Sequence, residues 1–321
     1  MKNIRFKFLS TFIVLIFIIL SLFLSEYILR YLGLGNPIIY ETNPAWKYSL
    51  SENQKKIRFK DKEIIINNVG LRSSEQWKGE NKKLILFIGD SVTYGGSRID
   101  NKELFSERVC KSLKEDFICG NAGTNGYGVL NMVMRSRYDN RIQNADIVIF
   151  VIILRDFWRG LVDMRQLGFF TSKPNSFFPA IEEAINYFGW KYDINQYLGQ
   201  KDYVINNLVK SSERKRLIYK LRKDETNFAI ENLNKEILRL TSQNKKVFVF
   251  FSPSKHSLIE KEVEWEKDLK DRIIQNVKNI YDLTNDFKNN LELEIFTDDI
   301  HLNLKGHEVT SNLILNRIKG K

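Results

Sequence analysis

The sequence predicts an α/β protein, a parallel β-sheet with helices on both faces, preceded by one membrane-spanning helix. Three observations lead there. From Lys83 onward, apolar strand-like runs alternate with amphipathic helical ones. The segment ADIVIFVIIL, Ala145 to Leu154, is apolar almost throughout and rich in β-branched residues, as a central parallel strand buried on both faces must be. And no charge interrupts the chain from Phe8 to Ser25, a span long enough to cross the hydrocarbon core of a bilayer.

The elements follow in order. Lys2, Arg5 and Lys7 precede the apolar span, whereas Glu26 and Arg30 cancel on its far side, so the N-terminus is expected to stay in the cytoplasm. A cleaved signal peptide would have a shorter apolar core ending in small residues, and SEYILRYLG offers no Ala-x-Ala site. Residues 1–33 therefore read as a cytoplasmic N-terminus and signal anchor. Residues 34–82 read as a juxtamembrane lead-in with the turn-like NNVGLRSSEQW, and residues 83–321 as the main domain, on the outer side of a cell membrane or in the periplasm if there are two membranes.

Within that domain LILFI is a strand running into Gly89, and LFSERVCKSLKE has helical spacing with Leu104, Phe105, Val109 and Leu113 on one side. FICGNAGTNGYG is a short strand entering a glycine-rich loop, followed by the helix VLNMVMRSRYDNRI. After the central strand, residues 157–222 mix aromatics, Pro174, Pro179 and the basic run KSSERKRLIYKLRK, and read as a mainly helical insertion. NFAIENLNKEILRLTSQN is an amphipathic helix, KVFVFFSP a buried strand stopped by Pro253, EVEWEKDLKDRIIQNV a helix and NIYDLT a short strand. The chain finishes with a polar loop holding DDIH and a last helix.

Composition bounds the function. The 321 residues carry a formal charge of +11 and 43% hydrophobic residues. That balance suits an acidic polymer or an anionic membrane surface as partner, and equally a lysine-rich chain with neither. No basic stripe interleaved with aromatics and no zinc-finger spacing points to nucleic acid. Cys110 and Cys119 are too few for a disulfide scaffold or a multi-cysteine metal site. In an oxidising compartment they would form one bridge; two unpaired buried side chains is the plainer reading. GYGVLN lacks the last glycine of a dinucleotide fingerprint, no phosphate-cradling lysine loop occurs, and no G-x-S-x-G is present. No cofactor or metal is expected.

The chemistry concentrates at the carboxyl ends of the strands, where open parallel sheets bind ligands. Gly-Asp-Ser, residues 89–91, follows the first strand. As an isolated triplet it reads as a turn, but it also holds a serine where a nucleophile would stand. Asp298 lies three residues before His301 in a polar loop, a spacing that lets the carboxylate reach one imidazole nitrogen while the other faces outward. His256 reads as a surface residue near a strand end and His307 as structural.

With those residues in place the chain resembles the SGNH/GDSL hydrolase superfamily from Lys83 to Ile318, and in its lead-in the membrane-anchored bacterial members. GDS resembles the first block, NAGTNG (Asn121 to Gly126) the second, and DDIHLNLKGH the fifth. The resemblance implies a flavodoxin-like three-layer α/β/α fold with about five parallel strands. It implies a Ser91–His301–Asp298 triad and an oxyanion hole made by the Ser91 and Gly126 amides. The third block departs from Gly-x-Asn-Asp: ILRD puts Arg155 where the family has its oxyanion-binding asparagine, so its guanidinium is expected to complete the oxyanion hole, the alternatives being that it fills the hole or binds a substrate carboxylate. The expected activity is a serine esterase on an O-acylated cell-envelope polysaccharide. The same triad would also serve an O-acyltransferase or a lipid-acting esterase, and the fold without turnover would serve a glycan-binding protein.

Overall fold

The computed structural model describes residues 2–59, 61–79, 81–113, 116–164, 168–189, 211–260, 263–290, 292 and 294–320. The apolar N-terminal run forms one helix, α1 (Lys2–Tyr31), whose stretch Phe8–Tyr31 is long and apolar enough to cross a membrane. The lead-in is folded rather than extended. It makes two antiparallel hairpins, β1 (Tyr40–Asn43) with β2 (Lys47–Leu50), and β3 (Gln54–Arg58) with β4 (Lys62–Ile66). Arg72 then joins it to the main domain through backbone bridges to Ile66 and Asn121. The guanidinium of Arg72 is fully buried and donates to the carbonyls of Tyr94, Gly96 and Ile99.

Five parallel strands form the central sheet: β5 (Lys83–Gly89), β6 (Phe117–Asn121), β7 (Ile147–Ile152), β8 (Lys246–Phe251) and β9 (Ile280–Asp282). Their order is β6-β5-β7-β8-β9, the flavodoxin-like arrangement of a doubly wound sheet. The helices are α2 (Ser91–Tyr94), α3 (Phe105–Leu113), α4 (Val129–Tyr138), α5 (179–189), α6 (Ser211–Ser242), α7 (Lys255–Ile259), α8 (Glu264–Asn276), α9 (Thr284–Lys288) and α10 (Leu304–Ile318).

Alternation along the strands divides two cores, because successive strand residues face opposite sides. Leu84, Leu86, Ile88, Val148 and Phe150 pack with Met132 and Val133 of α4 and Leu233 and Ile237 of α6. Ile85, Phe87, Ile149 and Val151 pack on the other side with Phe105 and Val109 of α3 and Ile314 of α10. β7, buried at every position, is the middle strand, as its unbroken apolar sequence requires. Truncating a sealed ring such as Phe150 would cost about 3–5 kcal/mol.

Two expectations change. The basic run does not end an insertion at 222, because α6 passes through that boundary without a break from Ser211; residues 190–210 lie outside the described ones. Cys110 and Cys119 are bridged, with Cα atoms 5.7 Å apart. The helix α3 returns directly into the edge strand β6, so both side chains enter the same core, a proximity that spacing alone did not disclose.

Candidate active site

The sheet order reverses between β5 and β7, and the crevice at such a switch point is where ligands bind. The turn leaving β5 is forced by its glycine. A Cβ on Gly89 would lie 2.0 Å from Thr93 Oγ1 and 2.5 Å from the Val151 carbonyl oxygen, so only glycine lets the strand pass its neighbours. Asp90 then caps α2, its Oδ1 accepting from Val92 N at 2.8 Å. Ser91 is the first residue of that short helix and stands at the sheet's carboxyl edge.

His301 reaches it from the far end of the chain. Its Nε2 lies 2.8 Å from Ser91 Oγ, and its Nδ1 lies 2.7 Å from Asp298 Oδ2. Asp298 holds both its loop and the ring: Oδ1 accepts from the amides of Ile300 and His301, leaving Oδ2 for the imidazole. Partial burial pushes the Asp298 acid up, but the His301 and Ile300 amides and the imidazole outweigh it and hold the carboxyl below its usual value. The loop is closed by the pairing of Phe296 with Leu302 and by Asn303, which caps α10 by accepting from Lys305 N and Gly306 N. Ser91, His301 and Asp298 are thus brought together in a hydrogen-bonded line.

The glycine-rich loop after β6 lies against this turn, Thr124 N donating to Gly89 O at 3.1 Å. Gly126 has φ +80°, the left-handed conformation that favours glycine, and Tyr127 N closes the turn on Thr124 O. Among the described residues no acceptor is recorded for the Gly126 amide.

Arg155 is placed differently from the third-block expectation. Its side chain is 60% exposed, and its guanidinium faces Asp299 Oδ2 at 3.8 Å. No hydrogen bond joins it to Ser91, His301 or the Gly126 loop among the described residues. The reason is local: β7 ends in a 3₁₀ turn, Leu154–Phe157, in which Asp156 folds inward and accepts from Ile153 N, turning the preceding residue out. Arg155 lines a cavity of about 400 Å³ together with Trp158, His256, Lys270, Asp299 and Ile300. His256 is half-exposed there and pairs with Glu260, as a surface residue would. His307 is sealed behind α3, accepts from Phe105 N at 3.2 Å and stacks on the Phe105 ring.

No protein-family model matches the chain, and no curated protein sequence matches it. Among solved structures it is similar to an acetylxylan esterase from Geobacillus stearothermophilus, at 16% identity and a TM-score of 0.45, covering 74% of this chain and 94% of that one. A second acetyl xylan esterase shares 18% identity at a TM-score of 0.45, over 73% of this chain and 99% of the other. A member of the lipolytic protein G-D-S-L family from Veillonella parvula shares 13% at a TM-score of 0.40, over 73% and 97%.

One residue that sequence reasoning missed joins the two halves of the site. Arg159 Nη1 donates to Asp90 Oδ2 at 3.1 Å, to Asp156 Oδ1 at 2.7 Å and to the Tyr127 carbonyl at 2.9 Å. It therefore ties the residue before Ser91 to the residue after Gly126. Both carboxyls are buried. Burial, and then the Asp90 carboxylate beside it, push the Asp156 acid well above the usual range.

Proposed function

We propose that the protein is a membrane-anchored serine esterase of the SGNH/GDSL type that removes acyl groups from an O-acylated cell-envelope polysaccharide. The observation that carries the chemistry is the line Ser91 Oγ to His301 Nε2, 2.8 Å, and His301 Nδ1 to Asp298 Oδ2, 2.7 Å, at the switch point of the sheet. Ser91 Oγ attacks the acyl carbon as its proton passes to His301 Nε2. Asp298 fixes the tautomer that leaves Nε2 free to accept. The amides of Ser91 and Gly126 receive the carbonyl oxygen as it becomes an oxyanion. His301 then gives its proton to the departing sugar oxygen, leaving an acyl ester on Ser91. Water, deprotonated by His301, attacks that ester and releases the carboxylic acid.

Arg159 acts here as a positioning residue. By holding Asp90 and the Tyr127 carbonyl at once, it ties the Ser91 turn to the Gly126 loop, whose amides would receive the oxyanion. Arg155, outside that clasp, faces the cavity beside Asp299 and Ile300, where its charge and the Trp158 ring suit the sugar that carries the acyl group.

The envelope location rests on α1. A helix destined for removal has no need to engage the rest of the fold, whereas Glu26 near the end of α1 accepts hydrogen bonds from Ala180 N and Ile181 N. That contact supports an anchor that stays. The test is turnover by the full chain, in detergent, on acetylated polysaccharide and on a small acetyl ester. Acetate release should vanish in Ser91→Ala, and acyl appearing on an added glycan instead of water would mark a transferase. No turnover and no transfer by the wild type would overturn the enzyme reading.

A further inference from the structure

The helix α5 and the phenylalanine before it present an apolar face with no partner among the described residues of the domain, and its place is set by α1. Phe177 and Phe178 pack edge-on against Phe23 of α1, with ring centroids 6.1 and 5.3 Å away. One turn later Glu26 caps α5, accepting from Ala180 N and Ile181 N, while Arg30 donates to the same carboxylate at 2.7 Å. On its other side α5 is pinned to the lead-in. Glu183 pairs with Arg58, both buried, and accepts from Gly35 N, and Ala180 and Ala184 are sealed.

These contacts leave one stripe outward. Ile181, Ile185 and Phe188 recur at helical spacing, and the last two are 67% and 65% exposed. Phe177, beside Phe23, is 78% exposed. Groups this apolar rarely stand together in water.

Depth along α1 identifies what covers them. Tyr27 and Tyr31 are exposed at the end of α1, where aromatic side chains mark a membrane–water interface. Phe23 lies four residues earlier, about 6 Å deeper along the helix. It is within the uncharged span Phe8 to Ser25. Whatever touches Phe23 from the domain is therefore at the level of the upper acyl chains. We propose that the face formed by Phe177, Ile181, Ile185 and Phe188 is a second membrane contact: α5 lies in the bilayer interface beside α1, its apolar stripe among the lipids. Two attachments, one crossing and one lying flat, fix the tilt of the domain instead of leaving it to swing on a tether. The inference rests on α1 being a retained membrane span, and not on the esterase reading.

The test uses the full chain in phosphatidylethanolamine–phosphatidylglycerol vesicles. Because Cys110 and Cys119 are bridged, a single introduced cysteine takes a nitroxide label. Labels at Ile185→Cys and Phe188→Cys should be relaxed by oxygen severalfold more than by a water-soluble nickel chelate, as at Phe17→Cys within the span. Leu238→Cys, exposed on α6, should show the opposite preference. Labels at 185 and 188 that behave like the one at 238 would overturn the proposal. So would labels shielded from both reagents, which would mean that a second copy or another protein covers the face. An aqueous response at Phe17→Cys would remove the membrane span itself, and this proposal with it, while leaving the enzyme reading untouched.

Discussion

Replacing Arg159 by methionine keeps an unbranched side chain of nearly the same length and removes the guanidinium that joins Asp90, Asp156 and the Tyr127 carbonyl. Two effects follow, of different size. Removing one partner of a buried ion pair typically costs about 3–5 kcal/mol. Here the cost should fall at the lower end. Both carboxyls keep a backbone donor, Asp156 from Ile153 N at 3.0 Å and Asp90 from Val92 N at 2.8 Å. A loss of about 3 kcal/mol leaves an ordinary domain folded. The catalytic effect is expected through the proposed oxyanion hole: without the clasp on the Tyr127 carbonyl, the Gly126 loop is no longer tied to Asp90. Losing one oxyanion donor costs roughly a hundred- to a thousandfold in kcat. Arg159→Met should therefore lower kcat on a small neutral acetyl ester by about a hundredfold with KM nearly unchanged, a split that marks an interaction made in the transition state. Arg159→Lys, with three donors on a slightly shorter stem, should recover part of the loss. Arg155→Ala is the comparison, because its exposed pair with Asp299 is worth at most about 1 kcal/mol, and kcat on the same ester should barely change. Steady-state kinetics and urea unfolding of the three variants decide the matter. An Arg159→Met variant with wild-type kcat, or an Arg155→Ala variant with the hundredfold loss, would refute the assignment.

Asp298→Asn should lower kcat less than His301→Ala does, because it releases the imidazole without removing it; equal losses from the two would show that Asp298 does more than orient. His307→Gln should flatten the acid dependence of stability. Burial, then the nearby charges of Arg72 and Arg108, push His307 down to about 3 from an ordinary 6.5. Between those values the unfolded chain binds a proton that the native state refuses. Stability from this group is complete above pH 6.5 and is lost as pH falls, by about 1.4 kcal/mol per pH unit. Urea midpoints from pH 6.5 to 5 should therefore slope less in His307→Gln than in the wild type, and equal slopes would contradict the burial argument.

Much of this architecture is legible in the sequence because parallel strands buried on both faces leave unbroken apolar runs, and Ile147–Ile152 is one. The Ser91, His301 and Asp298 positions are legible for a different reason: few residue types can do such chemistry, and the chain has only three histidines. Other features are written in spacings too common to notice. Arg159 follows Asp156 by three residues, a spacing found on countless helices; what matters is that Asp90 and Tyr127 arrive from elsewhere in the chain. Glu26 looks like a charge balancing Arg30, and it does pair with Arg30. Its second task, capping α5, depends on a partner some 150 residues away. The lead-in hairpins are only four or five residues per strand, too short for periodicity to show. Arg155 is the instructive case, because alignment to a motif gave its position in the chain but not the direction of its side chain, which the 3₁₀ turn decides.

The central claim is that Ser91 becomes the acyl carrier when His301 takes its proton. It is tested most directly by treating the full chain with a fluorophosphonate ester and locating the adduct by peptide mass spectrometry. The adduct should form on Ser91 alone in the wild type and should be nearly absent in His301→Ala. An adduct on another residue, or undiminished labelling of Ser91 without His301, would contradict the account.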